Sequence, residues 1–397
     1  MPPPRPVLPT LPILEALSAL RAALAAGPAA VLEAPPGAGK STVVPLALLD
    51  EPWVRGRKIL MLEPRRLAAR AVAQRMAATL GEVVGATVGH RMRLDTRVGP
   101  HTRIEVVTEG VLTRMLQSDP ALEGVAAVLF DEFHERSLQA DTGLALCLDA
   151  RATLDTDLRI VVMSATLDGA AVSALLSRAT GATVPVVTAA GRLYPVVVRY
   201  VGRAMPVLPG GDESPERLLA LAVQRALREC VGDVLAFLPG AGEIHRTLAM
   251  LGGMPEVDDS VVLLPLYGEL APAEQARALE PDPAGRRRVV LATNIAETSL
   301  TLPGVRAVVD SGLVRRAAFD PVTGMSRLET RRISRAAADQ RAGRAGRVAE
   351  GTCYRLWSEG AQRSLAAQTP PEIIEADLAP LALDLAEWGA DEAAALP

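Results

Sequence analysis

At 397 residues the chain is too long for one ordinary hydrophobic core, so two domains with a fragment of a third are expected. A hydrophobic fraction of 49% and a charged fraction of 22% describe a soluble globular protein, and aromatics at only 3% leave Ala, Val and Leu to build the interior. The net charge of −4 gives no global sign of a nucleic-acid partner, no apolar run of membrane-spanning length is free of charge or Pro, and Met1-Pro2-Pro3-Pro4-Arg5 is no secretory signal.

In chain order, short β-branched runs alternate with Ala/Leu/Arg stretches of helical character. Strands are predicted at Ala30–Ala34, Lys58–Glu63, Arg103–Thr108, Val125–Phe130 and Leu158–Met163 in the first half. In the second half they are predicted at Val196–Tyr200, Asp233–Leu238, Val261–Pro265, Arg288–Ala292, Ala307–Asp310 and Thr352–Leu356. Apolar strands separated by helices imply parallel sheets covered on both faces, and two such series imply two α/β domains. Helical periodicity fades over 180–192, which sets domains at 1–188 and 189–366, and Met205–Pro215 reads as a surface loop. Around Asp320-Pro321-Val322-Thr323-Gly324 the alternating pattern of Val314–Ile333 predicts a β-hairpin. The remainder, 367–397, is amphipathic helix after a Pro pair and reads as the start of a further domain. Cys147, Cys230 and Cys353 are odd in number and far apart, which speaks against a disulfide frame or zinc site and fits a reducing cytoplasm.

Of 42 basic residues only Lys40 and Lys58 are lysine, so a lysine that survives invites a chemical reason. Lys40 lies in Ala34-Pro35-Pro36-Gly37-Ala38-Gly39-Lys40-Ser41-Thr42, between a predicted strand and a predicted helix. That context marks a phosphate-binding loop, with Gly37 and Gly39 letting backbone N–H groups wrap a phosphate beside a helix N-terminus. Lys40 reaches the β/γ oxygens and the Ser41 hydroxyl ligates Mg²⁺. Farther on, Asp131-Glu132-Phe133-His134-Glu135-Arg136 follows an apolar strand: two acids, an aromatic, a histidine and a further ion pair. A solvated charge run would not need both acids directly after the strand. A zinc cage would need more than the chain's four histidines offer. With only two lysines there is no Asn-Lys-x-Asp guanine-reading motif. What remains is the acidic half of a nucleotide-hydrolysing site, Asp131 and Glu132 joining Ser41 around Mg²⁺ and Glu132 also activating water. A third feature is Gly312–Arg347, where nine arginines face three acids, the footprint of either a solvated face or a phosphate-backbone binder.

DEFH resembles the Asp-Glu-x-His motif of the DEAH branch of superfamily 2 helicases, and further motifs follow in order. Glu63-Pro64-Arg65-Arg66 resembles motif Ia, Thr108-Glu109-Gly110 motif Ib, and Ser164-Ala165-Thr166 motif III. Phe237-Leu238-Pro239-Gly240, Ala292–Thr301 and Gln340–Arg347 resemble motifs IV, V and VI. Phe133 in DEFHERSLQAD is similar to the bacterial HrpB-like branch.

The resemblance covers roughly residues 10–365 and implies two RecA-like P-loop domains clamping ATP and Mg²⁺, followed by the start of a winged-helix domain. It further implies an ATP-dependent RNA helicase or translocase, cytoplasmic and monomeric, acting on single-stranded RNA with DNA as the other candidate. The alternative is a nucleic-acid-stimulated ATPase that remodels or clamps without unwinding. By the same resemblance Arg344 and Arg347 are arginine fingers, Gln340 orients water with Glu132, and His134 couples hydrolysis to closure, with Ser164 and Thr166 relaying that state. The base would lie between Arg75 and Leu279, where relatives carry Phe, and the ribose would touch Ser299 because Pro303 replaces the usual acid. Weak nucleobase selectivity is therefore expected. Nucleic-acid contacts fall on Arg65, Arg66, Arg93, Thr108, Gly240, Thr293 and Asn294, mostly through phosphates.

Overall fold

Strands that are apolar along their whole length have to be covered on both faces, and the central strands of both sheets of this chain are built that way. The structure, a computed structural model, describes residues 8–165, 169–191, 194–209, 213–297, 300, 302–390 and 396. It divides into two compact units, residues 1–192 with 371–397, and residues 193–370.

Among the described residues the first unit carries eight strands: β1 (Ala29–Glu33), β2 (Lys58–Glu63), β3 (Val88–Met92), β4 (Asp95–Arg97), β5 (Ile104–Thr108), β6 (Val125–Phe130), β7 (Arg159–Ser164) and β8 (Val186–Thr188). Their order is β4-β3-β5-β2-β6-β7-β1-β8, parallel throughout except for β4 against β3. The pleat sends Leu32, Ile59, Met61 and Val106 to one face, under α1 (Leu14–Ala26), α2 (Lys40–Leu48) and α3 (Arg66–Thr79). Val31, Leu60, Leu62 and Val107 go to the other, under α4 (Glu109–Ser118), α5 (Leu138–Leu154) and α6 (Gly169–Thr180).

The second unit holds a six-stranded parallel sheet in the order β11-β12-β10-β13-β16-β9. These strands are β9 (Val196–Tyr200), β10 (Asp233–Phe237), β11 (Val261–Leu266), β12 (Arg287–Ala292), β13 (Val305–Asp310) and β16 (Gly351–Arg355). Its helices are α7 (Pro215–Glu229), α8 (Ala241–Leu251), α9 (Pro272–Leu279), α10 (Arg335–Gly343) and α11 (Glu359–Ser364). The predicted hairpin is present as β14 (Leu313–Asp320) and β15 (Met325–Arg332). Its turn closes as the residues suggest: the Asp320 side chain accepts from Val322 N at 3.0 Å, and Gly324, at φ 66°, donates its N–H to Asp320 O. After the second unit the chain adds a 3₁₀ turn, Glu372–Ile374, and α12 (Ala379–Trp388), whose Leu385 is buried in the core beneath α4–α6.

Every strand predicted from the sequence is present, with ends shifted by no more than two residues. Unpredicted were β3, β4 and β8, which carry polar or short runs: VGHRM, DTR and VVT. Two of them sit at the sheet edges, where fewer neighbours demand an apolar sequence. The loop predicted over Met205–Pro215 ends where Ser214 caps α7, its side chain accepting from Arg217 N behind Pro215 at the first turn.

Arginine ties the second unit from inside. Arg288, on β12 and 1% exposed, pairs with Asp233 at 2.7 Å and donates to the carbonyls of Ala278, Glu280 and Pro303. One guanidinium thus satisfies a carbonyl in the last turn of α9 and two loop carbonyls. Replacing Arg288 with Leu would leave those carbonyls and Asp233 Oδ2 without the guanidinium, with only the backbone N–H of residue 288 still on Asp233 Oδ1, so Arg288→Leu is expected to cost about 3–5 kcal/mol in guanidinium denaturation of the second unit's transition.

Candidate nucleotide site and the loop that carries its acids

β1 ends at Glu33 and the chain turns through Pro35–Gly39 into α2. Gly37 and Gly39 take φ of 85° and 101°, left-handed values that a side chain resists, and this points successive amides into one concavity. A Cβ on Gly39 would also stand 2.8 Å from Leu11 Cδ1. The loop is pinned from behind by Ile13 N donating to Ala38 O at 3.0 Å. Ser41 and Thr42 follow on the first turn of α2, both half-buried.

Lys40, 3% exposed, places Nζ at 3.1 and 3.2 Å from the two carboxylate oxygens of Glu132 and 3.9 Å from Asp131 Oδ1. Burial alone would lower the ammonium's pKa, but the charges of Glu132 and Asp131 outweigh it and the pKa is raised. Burial pushes Asp131 upward against the pull of Lys40 and of a hydrogen bond from Ser41. Asp131 Oδ2 is buried with no hydrogen-bond partner among the described residues. A hydroxyl and a carboxylate oxygen side by side are the hard donors that Mg²⁺ takes, with water and phosphate completing its shell. The residues present therefore fit Mg²⁺ through Ser41 and Asp131. His134 Nδ1 lies 3.5 Å from Glu132 Oε2. At the end of β7, fully buried Ser164 offers its carbonyl to Ala34 N at 3.0 Å, which sets motif III against the start of the phosphate loop. Thr166 lies outside the described residues, as does Ser299.

The acids sit on an unusual turn. Glu132 and Arg136 both have φ of 50°, and between them Phe133–Glu135 forms one 3₁₀ turn. Phe133 is its anchor, 4% exposed and edge-on to Phe130 at 6.2 Å. Glu135 and Arg136, adjacent in sequence, do not form the ion pair that their adjacency suggested. Glu135 binds Arg65 Nη2 at 2.9 Å and Arg136 binds Asp141 at 3.1 Å. Beyond them Ser137 caps α5, accepting from Ala140 N and donating to Glu109 Oε1 at 2.7 Å. Arg65 and Glu109 belong to motifs Ia and Ib, so the loop that holds Glu132 is bonded directly to both.

Of the other expected contacts, those at or just after the ends of β2, β3, β5, β10 and β12 lie at the carboxyl edges of the two sheets, where α/β folds bind ligands, while Arg75 and Leu279 lie farther along α3 and α9. In the first unit, Arg66 and Arg93 are exposed and Thr108 is half-buried at the start of α4. Leu94, next to Arg93, is 94% exposed at φ 63°, which gives that segment its hooked form. Arg75 is exposed on α3. In the second unit, Gly240 precedes α8, Thr293 and Asn294 follow β12, and Leu279 is half-buried at the end of α9.

Of motif VI, Gln340 is half-buried, and Arg344 is 3% exposed, donating to Glu297 O at 2.9 Å and to Leu300 O. Arg347 Nη1 donates to Leu300 O at 2.8 Å. Arg341, absent from the sequence expectations, is 1% exposed, paired to Glu297 at 3.0 Å and Asp310 at 2.9 Å, with Phe237 below it. The arginine-rich stretch is thus no simple solvated stripe. Arg341 and Arg344 are interior, and Arg327 and Arg331 pair with Glu329.

Glu109 is pushed up to about 7, first by burial and then by the charges of Glu135 and Glu372, against the Ser137 hydrogen bond and Arg65. The folded chain therefore holds a proton there at pH values where the unfolded chain does not. Its stabilising contribution is full below about pH 4.5 and is lost as pH rises through about 7. In Glu109→Gln the side-chain oxygen still accepts from Ser137 but never ionises. The variant is expected to gain stability over the parent at pH 8, by up to about 3 kcal/mol, and little at pH 4.5, as read by thermal unfolding at the two pH values.

The sequence matches the DEAD/DEAH box helicase family over residues 16–175 and the helicase conserved C-terminal domain over residues 217–349. It is 50% identical over 372 residues to the ATP-dependent RNA helicase HrpB of Escherichia coli (strain K12), covering 94% of this chain and 44% of that one. With the pre-mRNA-splicing factor ATP-dependent RNA helicase prp22 of Schizosaccharomyces pombe (strain 972 / ATCC 24843) it shares 37% identity over 362 residues, 90% of this chain and 30% of the other. The crystal structure of Escherichia coli DEAH/RHA helicase HrpB aligns with a TM-score of 0.89 at 48% identity, over 98% of this chain and 48% of that one. The chain spans less than half the length of each of these relatives. Two parallel α/β units, motifs at their carboxyl edges and these likenesses agree: the chain belongs to the DEAD/DEAH box helicases, in the HrpB-like branch of the DEAH group.

Proposed function

We propose that this chain is the ATP-hydrolysing core of an RNA helicase or translocase, a cytoplasmic monomer that uses ATP to move along single-stranded RNA. The observation that carries the reading is the buried contact of Lys40 with Glu132 and Asp131 at the end of the phosphate loop. A lysine ammonium has three protons to donate, and an arriving γ-phosphate competes with Glu132 for them. When phosphate takes Lys40, Glu132 becomes available to orient the attacking water, with Gln340 as its partner. Mg²⁺ held through Ser41 and Asp131 would neutralise charge on the phosphates. Arg344 and Arg347 would stabilise charge developing on the γ-phosphate, for which their planar guanidinium groups are suited.

The RNA would run over the carboxyl edges, past Arg65, Arg66 and Arg93, Thr108, Gly240, Thr293 and Asn294. Such contacts go to phosphates, so binding would be largely indifferent to sequence. The loop bonded to Arg65 and Glu109 supports a path by which RNA at the edge alters the position of Glu132. Among the described residues no helix is long and apolar enough to cross a membrane.

Steady-state ATP turnover is expected to rise with single-stranded RNA. Lys40→Ala and Glu132→Gln should each lower kcat by roughly a hundredfold or more, the usual size of a lost charge-stabilising donor and of a lost catalytic base. Equal stimulation by DNA would remove RNA from the reading, and turnover without strand displacement would favour a clamp or remodeller. In a salt titration of RNA binding, Arg66→Ala should weaken all sequences alike and reduce the log–log slope by about 0.7, one phosphate contact on a single strand.

A further inference from the structure

The chain passes from the second unit to the 371–397 segment at Pro370–Pro371, and that segment is part of the first unit. Its first anchor is Glu372. The backbone N–H of Glu372 donates to Arg136 O at 3.0 Å, and its Oε2 accepts from Leu138 N at 2.8 Å. One residue therefore grips the chain on both sides of Ser137, at the end of the turn that begins with Glu132. Farther along, Trp388 Nε1 donates to Asp149 Oδ2 at 2.8 Å, Asp384 accepts from Gln117 at 3.2 Å, and Leu385 fills the core.

The turn needs such a grip. Two non-glycine residues in the left-handed region cost roughly 1–2 kcal/mol each. Such geometry persists only where the surroundings over-determine it. Lys40 holds the Glu132 end, Arg65 holds Glu135, and Asp141 with Glu372 holds the Arg136 end. Without the Glu372 carboxylate, Leu138 N loses its partner and only the backbone N–H of residue 372 still holds Arg136 O, so the turn can relax toward right-handed backbone, rotating Glu132 away from Lys40.

We propose that Glu372 is a positioning residue for ATP hydrolysis, a brace from the segment beyond the second unit that keeps the strained turn set so that Glu132 faces the phosphate loop. This rests on the ATPase reading above. It also makes the segment outside the recognised helicase motifs a determinant of turnover.

The test compares Glu372→Ala, Glu372→Gln and Asp384→Ala in the whole chain, measuring kcat and KM for ATP with RNA present, the thermal midpoint, and hydrogen exchange over 132–140. Glu372→Ala is expected to lower kcat by roughly tenfold to a hundredfold, the scale of a small misplacement of a catalytic group, with KM little changed. Exchange at the Leu138 amide should quicken while the thermal midpoint stays near that of the parent. Glu372→Gln, whose amide oxygen still accepts from Leu138 N, should recover most of kcat. Asp384→Ala, which loosens the same segment away from the turn, should behave as the parent. Parent-like kcat in Glu372→Ala, or an equal loss in Asp384→Ala, would overturn the brace. If the parent itself turns over no ATP, the functional reading falls, and the exchange of the 132–136 amides in Glu372→Ala still decides the brace.

Discussion

The contact between Lys40 and the Asp131–Glu132 pair governs the first unit. Charge on any of these three groups out of water would cost several kcal/mol alone, and they coexist because each answers another at hydrogen-bonding or near-contact range. That requires two strands, not neighbours in the sheet, to end at the same height. Register does this through β7: Glu33 of β1 stands opposite Ser164, and Phe130 of β6 opposite Val162. The chain thus leaves β1 and β6 within a residue or two of a common edge, and a short phosphate loop meets a short acidic turn. A slip of one residue in either ladder would carry the lysine away from the acids.

Much of this was legible in the sequence because it rests on local rules. Buried parallel strands must be apolar throughout, phosphate loops need glycine where φ is positive, and the Asp320–Gly324 turn carries its own hydrogen-bond chemistry. Edge strands β4 and β8 escaped because they are short, and an edge strand meets fewer neighbours. The family motifs located the site residues but not their mutual bonds. Glu135 and Arg136 looked like one ion pair, whereas the two left-handed residues around the 3₁₀ turn point them to Arg65 and Asp141. Nothing local in the sequence announces those φ values for Glu and Arg. Glu372 was invisible for a different reason: it lies 234 residues from the amide it caps.

The scarcity of lysine also acquires a physical sense. A guanidinium can satisfy several carbonyls in a fixed plane, and Arg288 and Arg344 do so beneath or beside the motif loops. The two lysines stand where a point charge meets carboxylates: Lys40 between Glu132 and Asp131, and Lys58 at 2.5 Å from buried Glu105.

Three tryptophans serve a chain with few aromatics, and they are distributed one to each part. Trp53 lies in the first unit under the guanidinium of Arg159 at 4.7 Å, Trp357 is wholly buried in the second, and Trp388 holds the returning segment to Asp149. A carboxylate against the indole N–H and a cation over the indole face shift emission in different ways. The intrinsic fluorescence of this protein accordingly reports on each unit and on the docking of the returning segment, with no label attached.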